Sequence, residues 1–488
     1  MGIDAIVVLQ AMCIAIAHLF SWWAIVHALL HKKDSRSALG WVMTAFFLPG
    51  LGAVIYMLFG IGRAESRAYA VMRELAAKAK EYSRAAVGNA LPGHGPRSTP
   101  VESLPLPRRF RHMEPVGRAL TGLPLSAGNY LAPLFNGEQA YPIMLDAINT
   151  ARHHVYLETY IFNDGETGRD FCRALRRAAQ RGVDVRLIVD GVGGSRLYSW
   201  RQPWRALVQD GVRVATFLPP SFVPLNLTIN LRNHRKVLVC DSLAFTGGMN
   251  IADYHISGKT TGMVHDIQYL CSGPIVSMLQ RAFMLDWGVA AGEISPLPPE
   301  TEEMCGDSLC RMVLDGPGSG SEALHDLLCG AISSARESVR IMTPYFLPTA
   351  ELAASLKSAA QRGLRVEVIL PAKNNLCYVH WATFHLLPGL LQAGVRVFYQ
   401  PPPFDHTKLL LVDDYYAQIG SANLDTRSLR LNFELNMEIF DTSFSREMTE
   451  HFTDVLHNSR EIFRAELDDL PLWQRLRNAG CWIFLPYL

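Results

Sequence analysis

"NHRKVLVCD", residues 233–241, and "DHTKLLLVDD", residues 405–414, decide how this chain is read. Each sets a histidine and a lysine one residue apart at the head of an apolar run that stops at an aspartate. In an extended segment, residues i and i+2 share a face. His234 and Lys236 therefore project together, as do His406 and Lys408. Asp241 and Asp413 fall on the opposite side, where they suit fixing a strand end or a neighbouring chain. Each run then enters a small-residue turn ending in Asn, "TGGMN" (246–250) and "GSANLD" (420–425).

The flanking sequence repeats too. "AINTARHHVYLETYIF" (147–162) parallels "AISSARESVRIMTPYF" (331–346), and "RRAAQRGVDVRLIVD" (176–190) parallels "KSAAQRGLRVEVILP" (357–371). "GVRVATFLPP" (211–220) parallels "GVRVFYQPPP" (394–403), all at offsets near 180 residues. Each copy alternates strand-like and helix-like segments, which predicts α/β layers. The period is too long for a solenoid. Two domain-sized copies facing each other across a pseudo-twofold axis are expected.

A histidine beside a cation suits a phosphate. Imidazole serves as nucleophile or acid/base near neutral pH, and an ammonium stabilises phosphoryl oxygens as charge builds. Lysine is not a metal ligand, so no metal site is expected here. Asn250, Asn423 and Ser421 are candidate donors to phosphate oxygens. Asp266 in "VHDIQ" and Glu434 in "NFELN" are candidates to orient the imidazoles. "VDGVGGSR" (189–196) lacks the third glycine of a dinucleotide loop and reads as an ordinary turn. "DGPGSGSEAL" (315–324) reads as a turn feeding a helix capped by Ser321. Arginine-rich runs such as "RRAAQR" read as solvated helix faces.

The chain has 488 residues, 49% of them hydrophobic, a net charge of +1 and nine cysteines without paired spacing. The near-neutral charge argues against a nucleic-acid partner, and scattered thiols fit a reducing compartment. Residues 5–30 carry no charged side chain and are long enough to span a bilayer; lacking a basic start or a cleavage site, they read as an anchor. A second uncharged stretch, 37–62, is interrupted by Pro49, Gly50 and Gly52. It is expected as a kinked span or a re-entrant hairpin. Basic residues flank it on both sides, so charge assigns no orientation. Residues 63–82 read as a charged helix and 83–107 as a Pro/Gly-rich linker, followed by repeats at 108–300 and 301–488. The C-terminal "CWIFLPYL" (481–488) fits either packing on the core or entry into a membrane interface.

His234-x-Lys236-x4-Asp241 and His406-x-Lys408-x4-Asp413, each with its Gly…Asn tail, resemble the paired signature of the phospholipase D superfamily. The apolar N-terminus, "YIFNDGETG", "TPYFLP" and "GSANLDTRSLRLNFELN" resemble, within it, the bacterial cardiolipin synthases. The resemblance implies two tandem phospholipase D-like α/β domains behind a helical membrane hairpin, in the bacterial inner (plasma) membrane, multi-pass or hairpin-anchored. It implies that both motifs, aspartates included, form the catalytic set. His234 would carry the phosphatidyl group of one phosphatidylglycerol and His406 would act as acid and base. A second phosphatidylglycerol would complete cardiolipin, with no cofactor; symmetry alone would permit the reverse roles. Hydrolysis to phosphatidic acid, or transfer to another alcohol, is the alternative. A nuclease and an inactive lipid-binding scaffold are weaker rivals, and nothing in the sequence supports a particular oligomer. The chain departs from the family pattern in three places. Gly248 stands opposite Ser421, and Val264 stands where a tryptophan is expected. Asp405 precedes His406, where it is expected to raise the histidine's pKa or alter acceptor choice.

Overall fold

A computed structural model describes residues 2–32, 35–60, 104, 106–196, 198, 201–219, 221–222, 225–226, 231–260, 262–293, 303–316 and 322–483. The helix expected at 63–82, most of the linker and Ser321 lie outside these residues. The chain divides into two compact units, Met1–Arg67 and Ala68–Leu488.

In the first unit, the helix Gly2–His31 contains a stretch, Val7–His31, long and apolar enough to cross a membrane. The helix Ser35–Phe47 is only about 20 Å long, short of the roughly 30 Å hydrocarbon core. The chain breaks after it, as Pro49 and Gly50 lead one to expect, and continues in the helix Leu51–Ile55. Gly50 adopts φ 78° and donates its N–H to Ser21 Oγ at 2.8 Å. A Cβ on Gly52 would lie 2.2 Å from the Thr44 carbonyl oxygen. The break therefore folds the segment back on itself by close backbone approach. Ala24, Ala28, Ala45 and Ala53 keep the packed faces small.

The second unit is organised by one 15-stranded sheet. Outward from its centre, the first copy runs Ser126–Phe135, Ile267–Ser272, Leu243–Gly247, Val237–Cys240, His154–Thr159, Asp184–Asp190, Arg213–Phe217. The second copy mirrors it: Ser308–Asp315, Glu434–Phe440, Tyr416–Gly420, Leu409–Val412, Ser338–Met342, Arg365–Pro371, Arg396–Gln400. Arg460–Ile462 adds an extra edge strand. The copies are thus joined edge to edge. At the seam, Ser126 pairs with Cys310 and Asn129 with Ser308 across an irregularity in register. Buried Asn129 satisfies that irregularity, donating to the Ser308 and Ser126 carbonyls and accepting from Ile275 N–H.

Helices cover both faces, which is why "VRLIVD" and "VEVILP" are nearly continuous apolar runs. The helix Glu166–Gln180 buries Phe171, Cys172, Leu175 and Ala178 at helical spacing and turns its arginines outward. Each copy has its own core. The expected boundary at 108 needs correction. Phe110 and Met113 pack into the second copy's core, and Arg311 of that copy is wholly buried between Glu114 and Glu438. A Cβ on Gly117 would occupy the place of that guanidinium, so the helix Met113–Thr121 docks where only glycine fits.

The catalytic grouping of Asp241 and Asp413 is also corrected. Both adopt φ near 50° in the turn after the motif strand, at its far end from the histidine. Asp241 accepts the N–H groups of Arg152, His153 and His154. Asp413 accepts those of Arg336, Glu337 and Ser338 and pairs with Arg109 at 3.2 Å. They lock the start of the neighbouring strand in each copy. Asp413→Ala should cost about 3 kcal/mol through lost charge-assisted bonds, lowering the thermal midpoint by several degrees. Product formed per folded molecule should stay near wild type; thermal melts and turnover on the same preparation check both.

Candidate active site

The motif histidines lie just beyond the carboxyl ends of the parallel strands, the usual site position in such sheets. The strands begin only at Val237 and Leu409, so His234, Lys236, His406 and Lys408 sit in the extended lead-in. Each lead-in is gripped from both copies. His234 N–H donates to the Phe433 carbonyl at 2.9 Å, and His406 N–H to the His265 carbonyl at 2.8 Å. The first lead-in is also held by Asp190, which accepts from Asn233 N–H at 2.9 Å and pairs with buried Arg232. "VDGVGGSR" is thus an ordinary turn with a supporting role, since Asp190 also accepts from Val192 and Gly193 N–H.

The side chains repeat that crossing. His234 Nδ1 meets Glu434 Oε2 at 3.0 Å, and His406 Nδ1 meets Asp266 Oδ2 at 2.9 Å. Each carboxylate belongs to the copy opposite its histidine. Nδ1–H donation fixes the tautomer and leaves each Nε2 unprotonated and available for chemistry. Both imidazoles line a single cavity of about 590 Å³. Lys236 Nζ donates to the His234 carbonyl at 2.6 Å, and Lys408 Nζ donates to the His406 carbonyl. Lys408 Nζ also lies 2.7 Å from His406 Nδ1. With that nitrogen donating to Asp266, two donors face each other there, and the carbonyl is the ammonium's acceptor.

The two carboxylates differ. Burial pushes Glu434 upward, but His234, Lys236 and Ser421 outweigh it and hold Glu434 down at about 2. Burial dominates at Asp266 and raises it. Ser421, expected to bind substrate, instead spends its proton on Glu434 Oε2 at 2.5 Å and accepts from Leu435 N–H. It positions the carboxylate. Opposite it, a Cβ on Gly248 would lie 2.3 Å from Asp266 Oδ1. The missing hydroxyl is the space that the shorter acid occupies.

Burial lowers His234, against the pull of Glu434. Burial, followed by Lys408, His234 and Lys236, holds His406 well below the ordinary range. Asp405 is not among the leading influences on it. Its carboxylate turns into a separate cavity, accepting from Thr407 N–H at 2.7 Å. Burial also brings Lys236 to about 7 and Lys408 to about 8, so neither is the permanent cation its type suggests.

Asn250 and Asn423 line the cavity. Asn250 accepts from Ile161 N–H and faces the Tyr254 hydroxyl, while Asn423 donates to Ser428 Oγ. Val264, in the place of the expected tryptophan, forms part of the wall. Sequence reasoning missed Tyr160 and Tyr345, whose rings stand edge-on to His234 and His406 with centroids 5.4 and 6.3 Å away. In the aligned repeats they stand one residue apart, Tyr160 opposite Pro344 and Tyr345 opposite Ile161, so the repeat alone did not single them out. Sequence reasoning also missed a break in symmetry: four residues after the cavity asparagine, one copy has Tyr254 and the other Arg427, both lining the cavity.

Residues 144–268 and 328–456 match the family model described as cardiolipin synthase, phospholipase D-like domain. Together they make up more than half of the chain. The chain belongs to the cardiolipin synthase family. Residues 19–60 match a phospholipase D-nuclease N-terminal model. Cardiolipin synthase A of Pseudomonas fluorescens is 32% identical, over 93% of both chains. A cardiolipin synthase of Halalkalibacterium halodurans is 30% identical, over 94% of this chain and 90% of its own. The phosphatidylserine synthase structure from Haemophilus influenzae shares the fold, with a TM-score of 0.62, 17% identity, and coverage of 77% of this chain and all of that one.

Two outcomes follow for this site. Gly248→Ala should drive Asp266 off His406 and lower turnover roughly 10–100-fold, with little change in KM, in steady-state assays. Both lysines lose their protons as pH rises through about 7 to 8 in the empty site. The KM for an anionic phospholipid should therefore climb between pH 7 and 9, most steeply at low salt, in a pH series of initial rates.

Proposed function

We propose that this phospholipase D-type phosphatidyltransferase makes cardiolipin and glycerol from two phosphatidylglycerol molecules through a phosphatidyl group carried on His234. One observation carries the reading: imidazoles from both copies share a cavity, each braced by the other copy's carboxylate. A phosphodiester lying between them has a nucleophile on one side and an acid on the other.

His234 Nε2 attacks phosphorus, and the bond to the glycerol headgroup breaks. The departing oxygen takes a proton from His406. A second phosphatidylglycerol then gives its hydroxyl proton to His406, and its oxygen attacks phosphorus. The phosphorus–nitrogen bond breaks and its electrons return to His234. One phosphodiester replaces another, and two inversions retain configuration. Acid/base help of this kind contributes about 10²–10⁴-fold.

The assignment of roles rests on the unequal carboxylates. Firmly ionised Glu434 makes His234 the stronger nucleophile, because a full negative charge on Nδ1–H enriches Nε2. His406 is neutral in the empty site, pressed down by burial and by the lysines. A bound phosphate monoanion offsets those lysines and lets His406 take up its proton. Lys236, Lys408, Asn250 and Asn423 then face the phosphoryl oxygens. Tyrosine and phenylalanine side chains along the cavity wall, including Tyr345 and Phe404, favour a lipid alcohol over water as acceptor. The enzyme works at the bacterial inner membrane, with the 5–30 helix spanning and the broken 35–60 segment folded back as a hairpin.

Full-length enzyme in phosphatidylglycerol micelles should release glycerol and cardiolipin in equal amounts, with chelator present. His234→Ala should abolish both products. His406→Ala should leave lipid phosphate on His234, detectable by mass spectrometry of the quenched protein. Phosphatidic acid as the main product would assign the site to hydrolysis, and phosphate found on His406 alone would exchange the two roles.

A further inference from the structure

The helix Leu472–Ile483 is built inside out. At about 100° per residue, Leu472, Leu476 and Ile483 fall within about 40° of one another. They are 70%, 64% and 65% exposed, and Trp473 beside them is 61% exposed. The packed face holds Asn478, which is 4% exposed, with half-buried Gln474 and Cys481. A helix that faces water carries the opposite pattern. Arg475 and Arg477 stand at the two margins of the apolar face. Arg477 is held there, its guanidinium over Trp381 at 4.2 Å and over Trp473 at 5.4 Å. From Pro471 to the last residue the chain has no Asp or Glu.

We propose that this face is an interfacial surface that rests in the headgroup–acyl boundary of a phospholipid bilayer. Leucine and isoleucine enter the acyl edge, tryptophan sits at the boundary, and the two arginines meet lipid phosphates. The chemistry of the margins selects this occupant: two cations without a counter-charge on the same helix complement an anionic surface. Position argues the same way. Leu472–Ile483 packs along the helix Cys377–Leu391, with Trp482 against His385 at 4.8 Å. The first turn of that second helix carries Tyr378 and Val379 of the cavity wall. Cys481 packs against the cluster of Leu347, Val379 and Ala382, two of which line the cavity. The lipid-facing surface is therefore one helix away from the site. Bilayer contact brings the cavity to headgroup level, a consequence that rests on the phospholipid reading above.

Full-length protein in nanodiscs of phosphatidylglycerol and phosphatidylethanolamine, doped with a phospholipid bearing a photoreactive acyl chain, tests the surface directly. Irradiation should label peptides containing 472–483 as well as the N-terminal helix. The triple variant Leu472→Ser, Leu476→Ser, Ile483→Ser changes only exposed side chains. It should lose that label and raise the apparent KM for phosphatidylglycerol in vesicles roughly fivefold or more. Its turnover of a monomeric short-chain phosphatidylglycerol should match wild type. Labelling confined to residues 2–60 would overturn the proposal. So would a vesicle KM unmoved by the triple variant, or concentration-dependent crosslinks between copies through 472–483. Labelled wild-type protein that formed no cardiolipin would overturn the functional reading and leave the surface standing.

Discussion

Two hydrogen bonds between imidazole and carboxylate, each crossing from one copy to the other, hold the rest of the site in place. A buried histidine without an acceptor for Nδ1–H is free to adopt either tautomer, and a buried carboxylate without a donor is costly. Pairing His234 with Glu434 and His406 with Asp266 meets both demands. Backbone bonds from Phe433 and His265 reinforce the same crossing, so neither ring moves without both copies moving. The lysines beneath add positive charge that burial makes responsive to an arriving phosphate.

The scaffold is nearly symmetric and the side chains of the site are not. Strand order reads the same outward in both directions from the seam, save one extra edge strand. Asymmetry enters through small exchanges at matching positions. Glu434 with Ser421 faces Asp266 with Gly248, and Arg427 faces Tyr254. The first exchange sets a longer acid with a hydroxyl partner on one side and a shorter acid pressed against bare backbone on the other. It also separates the acids electrostatically, which suits the proposed division of tasks between the histidines.

Much of this was legible from local patterns. The His-x-Lys spacing, the repeated segments and the Gly…Asn turns are short-range features. They single out two histidines and two asparagines that line one cavity, and the lysines that bond beside those histidines. The broken apolar stretch at Pro49 and Gly50 was readable for the same reason. What escaped was non-local. That Glu434 serves His234, 200 residues away, is a property of how the copies dock. Ser421 looked like a phosphate ligand because spacing cannot show that a carboxylate has taken its proton. Asp405 adjoins His406 in the chain, yet successive side chains in an extended segment point apart, and it opens into another cavity. The segment at 108–121 precedes the first copy and packs in the second, through a buried arginine whose partners lie on two different elements.

The seam also bears on what the duplication accomplishes. A polypeptide carrying a single copy would assemble this centre only by finding a twin, so its active fraction would fall on dilution. Covalent linkage makes that encounter intramolecular and fixes the local concentration of one half around the other. It also frees the halves from having to be self-complementary. A change such as serine to glycine can be made on one side alone, where an obligate pair of identical chains would have to accept it twice.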